Sequence, residues 1–136
     1  MGKIFQDLWI MSEEAIVLFS RVFDPKVDDQ LFGGLMSALN TFAESLSDGG
    51  LSHFELSDKR FALMKMNKLL FVANASLTVK DKKLLGEIQK VAEKFFTKYP
   101  ENFIRHWNYD VSAFYDFEKE IENILKSPME KFWNGF

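Results

Sequence analysis

The sequence predicts an α/β sandwich in which a five-stranded antiparallel sheet carries one helix on one face and two on the other. Short apolar runs, rich in branched and aromatic residues and separated by tight polar turns, indicate strands joined by hairpins. Three longer segments repeat apolar residues at three- and four-residue steps, which indicates amphipathic helices. The segments follow the order β-β-α-β-β-β-α-α, for which we expect the strand order 2-1-5-4-3.

The chain opens with a predicted hairpin. Residues 4–11 and 15–23 are apolar runs on either side of a short polar turn that contains Glu13 and Glu14. The second run is apolar on both faces near its start, which favours a sheet covered on both sides. Ser20 and Arg21 suit an edge strand, because polar groups there discourage unwanted pairing.

Residues 24–47 form the predicted central helix, which has an apolar stripe, flanked by Phe32 and Met36, and a polar side. Gly33 and Gly34 should each cost about 1 kcal/mol in a helix interior. We therefore expect both glycines to lie close against the sheet. The stripe comprises Val27, Leu31, Leu35, Leu39, Phe42 and Leu46, and the side expected to face outward comprises Gln30, Ser37, Asn40, Thr41 and Glu44.

A predicted meander and two helices complete the fold. After the helix stop at Asp48-Gly49-Gly50, three runs at 51–56, 60–66 and 69–75 alternate with tight turns, so antiparallel neighbours are expected. Thr78 and Asp81 have capping-box spacing at the start of the second helix. Residues 101–110 are expected to be a loop or short turn, and a third helix, capped by Asp110 or Ser112, is expected to run to about Lys126.

Length and composition restrict the class of protein. The chain has 136 residues, which suits one domain at 1–126 followed by an aromatic tail at 127–136. Its net charge of −3 gives no general basic field for nucleic acid. It has no cysteine, which excludes disulfides and thiolate metal sites and favours a cytoplasmic protein. The sequence shows no signal peptide, and no apolar run is long enough to span a membrane.

Candidate catalytic residues are sparse. His53 and His106 lack the spacing of a metal motif, and the two central-helix glycines are not followed by the Lys-Ser or Lys-Thr of a phosphate loop. Acidic residues in the opening hairpin are more typical of solvated turns than of an acid–base pair. We therefore expect no enzyme activity, no metal and no cofactor. A group of lysines at the start of the second helix is more typical of a solvated surface than of a lipid-binding one, and it comprises Lys80, Lys82, Lys83 and Lys90.

The element order and four local phrases resemble the longin domain, a profilin-like fold, over residues 4–126. The phrases are LWIMSEEAIVLFSRVF, LFGGLMSALNTFAESL, HFELSDKRFALMKMNKLLFVANAS and HWNYDVSAFYDFEKEIENIL. The chain is most similar to free-standing longin-type proteins of archaea, including Asgard-type ones. The related roadblock domain has the same sandwich but begins with a helix, whereas the first element here is a predicted strand.

The resemblance implies a non-catalytic protein–protein interaction module that scaffolds or regulates a small GTPase or a membrane-trafficking-type assembly. The implied partner is a small Ras-like GTPase or another longin or roadblock domain. We also predict a homodimer through an edge strand or the central helix. The alternative is a small-molecule or lipid sensor whose ligand enters between sheet and helices, and peripheral membrane association is a further alternative.

The predicted partner-binding residues fall into three groups. The first lies on the meander edge, where an exposed strand is open to strand addition, and the second lies on the central helix. The third is the aromatic tail, which either folds onto its own domain or docks onto a partner or membrane interface. The groups are, in order, Leu51, His53 and Phe54; Ser37, Asn40 and Thr41; and Phe132, Trp133 and Phe136.

Overall fold

Five antiparallel strands form one sheet in a computed structural model that describes residues 5–23 and 26–125, with side chains described as far as residue 122. The order β2-β1-β5-β4-β3 confirms the predicted topology. The tail residues predicted to bind a partner lie outside the described residues. The strands are β1 (Asp7–Ser12), β2 (Val17–Arg21), β3 (His53–Glu55), β4 (Lys59–Met66) and β5 (Leu69–Ser76).

The helices are α1 (Asp29–Leu46), α2 (Asp81–Lys98), α3 (Glu101–Arg105) and α4 (Phe117–Leu125), with a 3₁₀ turn at Val111–Phe114 before α4. α1 lies on one face of the sheet, as predicted. The other elements lie on the opposite face, where their apolar residues share one core with the sheet.

Three local predictions were wrong. The expected loop or short turn at 101–110 contains the helix α3, and the expected third helix is divided into the 3₁₀ turn and α4. The carboxylate of Asp110 accepts the backbone N–H of Ser112 at 3.0 Å, which starts the 3₁₀ turn. The expected capping box is absent, because α2 begins after Lys80 without a side-chain cap and the Thr78 hydroxyl instead pairs with that of Ser76.

The alternation of side chains along β1 divides the core into two layers. Leu8 and Ile10 point to the larger layer, which α2 and α4 cover. Trp9 and Met11 point to the smaller layer, which α1 covers. The smaller layer is completed by Val17, Met36, Phe61, Leu63, Leu70 and Val72.

A buried polar pair ties β1 to β5. Asp7 and Asn74 face each other across the strands, and the Asp7 N–H donates to Asn74 Oδ1 at 3.0 Å. Asn74 Nδ2 donates to Asp7 Oδ2 at 2.9 Å, and the Phe23 N–H donates to Asp7 Oδ1 at 2.8 Å. These bonds satisfy the carboxylate inside the sheet, so Asp7 has a structural role in strand register.

Among the described residues, none of the helices has both the length and the apolar character that crossing a membrane requires.

Candidate partner-binding surface

The predicted apolar stripe, five residues of α1 and Val27 just before it, faces away from the sheet. Its six members keep between 38% and 75% of their surface exposed. The expectation that this stripe packs on the sheet was wrong, and on the polar side Ser37 and Asn40 are half-buried whereas Gln30, Thr41 and Glu44 are exposed as expected. Only Gly33 and Met36 of α1 are buried, and Phe32 is half-buried beside them. We define the outer stripe as Val27, Leu31, Leu35, Leu39, Phe42 and Leu46.

The first half of α1 is attached to β2 by polar groups. The side-chain amide of Gln30 accepts the Val17 N–H at 3.0 Å and donates to the Val17 carbonyl at 3.3 Å. Asp29 accepts a hydrogen bond from the Ser20 hydroxyl. Gln30 thus acts as a backbone-like partner at the sheet edge, which explains why a neutral amide lies on the inner side of this helix.

The second half of α1 is attached to the β1–β2 turn and to the segment before β3. Asn40 Oδ1 accepts the Leu51 N–H at 3.2 Å, and the Ser37 hydroxyl donates to the Glu13 carbonyl at 3.4 Å. The ammonium of Lys65 on β4 lies 3.3 Å from a Glu13 carboxylate oxygen and 3.4 Å from one of Glu44. These carboxylates raise the pKa of Lys65, with the hydrogen bond to Glu13 as the largest cause.

The two glycines of α1 have different surroundings. A Cβ on Gly33 would lie 2.7 Å from the Ala15 carbonyl oxygen and 2.9 Å from Val17 Cγ2. A Cβ on Gly34 would have no heavy atom within 4 Å. The predicted close approach to the sheet is therefore confirmed for Gly33 and wrong for Gly34, which lies on the exposed side with the outer stripe.

β3 continues the surface at the end of the sheet. It pairs with β4 alone among the described strands, so one side of its backbone has no strand partner there. Phe54 on β3 stacks on Phe61 with ring centroids 4.6 Å apart, and Phe32 of α1 stacks on Trp9 at 4.0 Å. These rings join α1 and β3 into one supported surface.

Ion pairs hold β3 on the face of the sheet that α2 covers. Arg60, opposite Glu55 in the β3–β4 pair, contacts the Glu55 carboxylate at 3.0 Å and that of Asp81 on α2 at 3.1 Å. His53 Nε2 lies 3.9 Å from Asp81. Because Arg60 is the most buried member of this group, it fixes the strand position while His53 stays accessible at the edge.

The described residues contain no group of three or more His, Asp or Glu side chains arranged to hold a metal ion. Two open surface depressions measure about 510 Å³ and 540 Å³, and a more enclosed cleft of about 220 Å³ lies at the hairpin end of the sheet. It is lined by groups of both charges, such as Glu14 and Arg105, and by Trp107 and Tyr109. The sensor alternative expects a ligand to enter between the sheet and the helices. Among the described residues, the buried side chains of the two core layers pack in that space.

This architecture is similar to that of Myxococcus xanthus MglB, with a TM-score of 0.58 and 9% identity over 70% of this chain and 83% of that one. It is also similar to a Roadblock/LC7 domain from Streptomyces avermitilis, with a TM-score of 0.52 and 13% identity over 70% of this chain and 88% of that one. The chain has the longin/roadblock fold. No protein-family model and no curated protein matches its sequence.

Within this longin/roadblock fold, the predicted binding residues divide between the two sides of α1. Ser37 and Asn40 point toward the sheet, where their hydrogen bonds hold α1, whereas Thr41 is exposed. On the edge of the sheet, His53 is exposed and Phe54 is half-buried. Leu51 is half-buried against the α1 layer.

Sequence reasoning missed the outer stripe as a functional feature. The available signal was the chemistry of the opposite side, where Gln30, Ser37 and Asn40 are neutral. A helix side in free contact with water usually carries charged residues. Neutral amides and hydroxyls in that position can hydrogen-bond the backbone of neighbouring elements, which is what they do here.

Proposed function

We propose that this chain is a non-catalytic interaction module that docks a folded protein through the outer stripe of α1 and the edge of β3. The observation that carries the proposal is the exposure of the whole outer stripe. Taking about 100 Å² for each of its six members gives roughly 600 Å², at the upper end of apolar patches on monomers. A standard interface needs roughly 800 Å² from each partner, and the β3 edge adjoins the stripe to supply the remainder.

We infer that the partner is a small Ras-like GTPase or another longin or roadblock domain, and that docking scaffolds or regulates a GTPase or a membrane-trafficking-type assembly. The fold supports this inference, because it is shared with a Roadblock/LC7 domain and with MglB. Within the docking surface, Thr41 and His53 would contribute polar contacts at the rim. Leu51 and Phe54 would support the apolar centre, and Ser37 and Asn40 would hold α1 in place.

The test is capture of Ras-like GTPases by the immobilised chain in the GDP-bound and GTP-bound states, with nucleotide exchange and hydrolysis measured in parallel. We expect binding that depends on the nucleotide or a change in one of the two rates. Leu35→Ser in the outer stripe should abolish the effect. Tyr115→Ser is the matched control, because Tyr115 is similarly exposed, at 65%, on the opposite side of the sandwich.

Two results would contradict the proposal. Equal loss of binding in both variants would show that the outer stripe has no special role. Absence of binding in both nucleotide states, together with a co-purifying small molecule identified by mass spectrometry, would favour the sensor alternative instead.

A further inference from the structure

The docking surface has an unusual charge distribution. Residues 27–58, which contain α1 and β3, include no lysine or arginine and six acidic residues, so their formal charge is −6. The whole chain has a charge of −3, and the remaining residues therefore carry +3. The acidic residues are Asp28, Asp29, Glu44, Asp48, Glu55 and Asp58.

Two of these acidic residues border the outer stripe, one at each of its ends, whereas Asp29 bonds to Ser20 of β2, Glu44 to Lys65 of β4, and Glu55 to Arg60 on the face that α2 covers. Asp28 caps the start of α1 and accepts the N–H groups of Gln30 and Leu31, while Asp48 follows the end of the helix. Neighbouring cations offset part of the charge, since Lys65 contacts Glu44 and Arg60 contacts Glu55. When Lys26 and Lys59, which flank residues 27–58 in the sequence, are counted as well, the net formal charge of the surface is still negative.

This distribution bears on which partner the surface accepts. In a two-fold symmetric dimer the same patch meets itself, so the acidic border of one copy would face that of the other. Like charges brought together across an interface disfavour association. A partner with an apolar helix face and basic residues at its border would instead gain from the same charges.

Resting on the docking role proposed above, we propose that the occupant of this surface is a different protein whose amphipathic helix has lysine or arginine at both ends of its apolar face. The outer stripe supplies the contact area, and the acidic border selects the partner and orients it. The homodimer predicted from the sequence is the competing outcome.

The test uses two synthetic helical peptides with the same leucine face. One carries lysines at both ends of that face, and its twin carries glutamates at the same positions. Affinity of the full chain for each is measured by fluorescence anisotropy in 20 mM and 500 mM NaCl, and self-association is measured by sedimentation velocity in the same buffers. We expect the lysine peptide to bind at least about tenfold more tightly at low salt and this ratio to collapse at high salt, because ions screen exposed charges.

Matched variants separate charge from packing. Asp48→Lys should reduce the preference for the lysine peptide several-fold, whereas Glu93→Lys, the same charge change on the far side of the sheet, should not. Equal binding of both peptides would overturn the charge inference and leave the docking role intact. Binding of neither peptide, or a homodimer that is as tight at 20 mM as at 500 mM NaCl, would overturn the inference as well, and the GTPase assay would then decide the docking role separately.

Discussion

Adjacent glycines in α1 give the sharpest test of how this helix lies on the sheet. Gly33 and Gly34 have the same intrinsic helix propensity, so replacing either with alanine should stabilise α1 by about 0.5–1 kcal/mol in the absence of other contacts. Any difference between the two variants therefore reports the surroundings of the added methyl group.

The surroundings of the two glycines predict stability changes of opposite sign for the two variants. At Gly34 the methyl group meets no atom within 4 Å, so Gly34→Ala should keep the full propensity gain. At Gly33 it would lie 2.7 Å from the Ala15 carbonyl oxygen, which belongs to the backbone of the β1–β2 turn and cannot rotate away. Overpacking of this kind costs about 1–3 kcal/mol, so Gly33→Ala should be net destabilising, and the two variants should differ by about 2 kcal/mol.

Urea unfolding followed by circular dichroism measures this difference. In thermal unfolding, the two variants should differ by about 5–10 °C for a domain of this size. If Gly33→Ala is more stable than the parent chain by the same amount as Gly34→Ala, the close approach of α1 to the hairpin is refuted.

Three further predictions concern single side chains. Asp7→Ala should lower the unfolding free energy by about 2–4 kcal/mol in urea, because Asn74 is left unpaired inside the sheet; a loss below 0.5 kcal/mol would contradict its structural role. The buried Tyr99 hydroxyl has no hydrogen-bond partner among the described residues, so Tyr99→Phe should gain about 1 kcal/mol at pH 7. Burial, with the charges of Asp116 and Glu120, raises the Tyr99 pKa above 10.0 in the folded state. The parent chain therefore keeps its full stability below pH 10 and loses stability as the pH rises through the folded-state pKa, so the stability advantage of Tyr99→Phe should widen above pH 10. An advantage that stays constant with pH would refute this cause. Met36→Ala should cost about 2–4 kcal/mol of stability, whereas Leu35→Ala, one residue away and 56% exposed, should change it by less than about 0.5 kcal/mol, and equal losses would place both on the same side of α1.

The sheet could be predicted from the sequence because its signals are local. The tight turn at Asn67-Lys68 and the apolar runs on either side of it fix β4 and β5 as neighbours, and both residues adopt the left-handed conformation that such turns require. The hairpin of β1 and β2 follows from the same kind of signal. The order of the sheet then follows from placing the most apolar strands at its centre, where β1 and β5 are almost completely buried.

The face of α1 that meets the sheet could not be predicted in the same way. Periodicity shows that Leu31, Leu35 and Phe42 share a face, but it does not show whether that face meets the chain's own sheet or another protein. In this fold the neighbouring sheet face is covered by only a few groups, mainly Met36 and Phe32, and side-chain hydrogen bonds complete the attachment. The break between the 3₁₀ turn and α4 could not be predicted either, because the helical periodicity continues through the 3₁₀ turn into α4.

The two sides of α1 thus have separate physical tasks. Met36 and the polar contacts of Gln30 and Asn40 hold the helix in the fold, and the outer stripe contributes little to folding of the monomer, because its side chains stay in water. Covering roughly 600 Å² of apolar surface is worth about 15 kcal/mol before costs, at about 25 cal/mol per Å². Association costs roughly 4–15 kcal/mol in lost freedom, so the stripe alone supports binding that ranges from weak to tight, and the polar border decides where in that range a partner falls. Substitutions on the outer side should therefore change partner affinity while leaving the fold intact, and substitutions on the inner side should do the reverse.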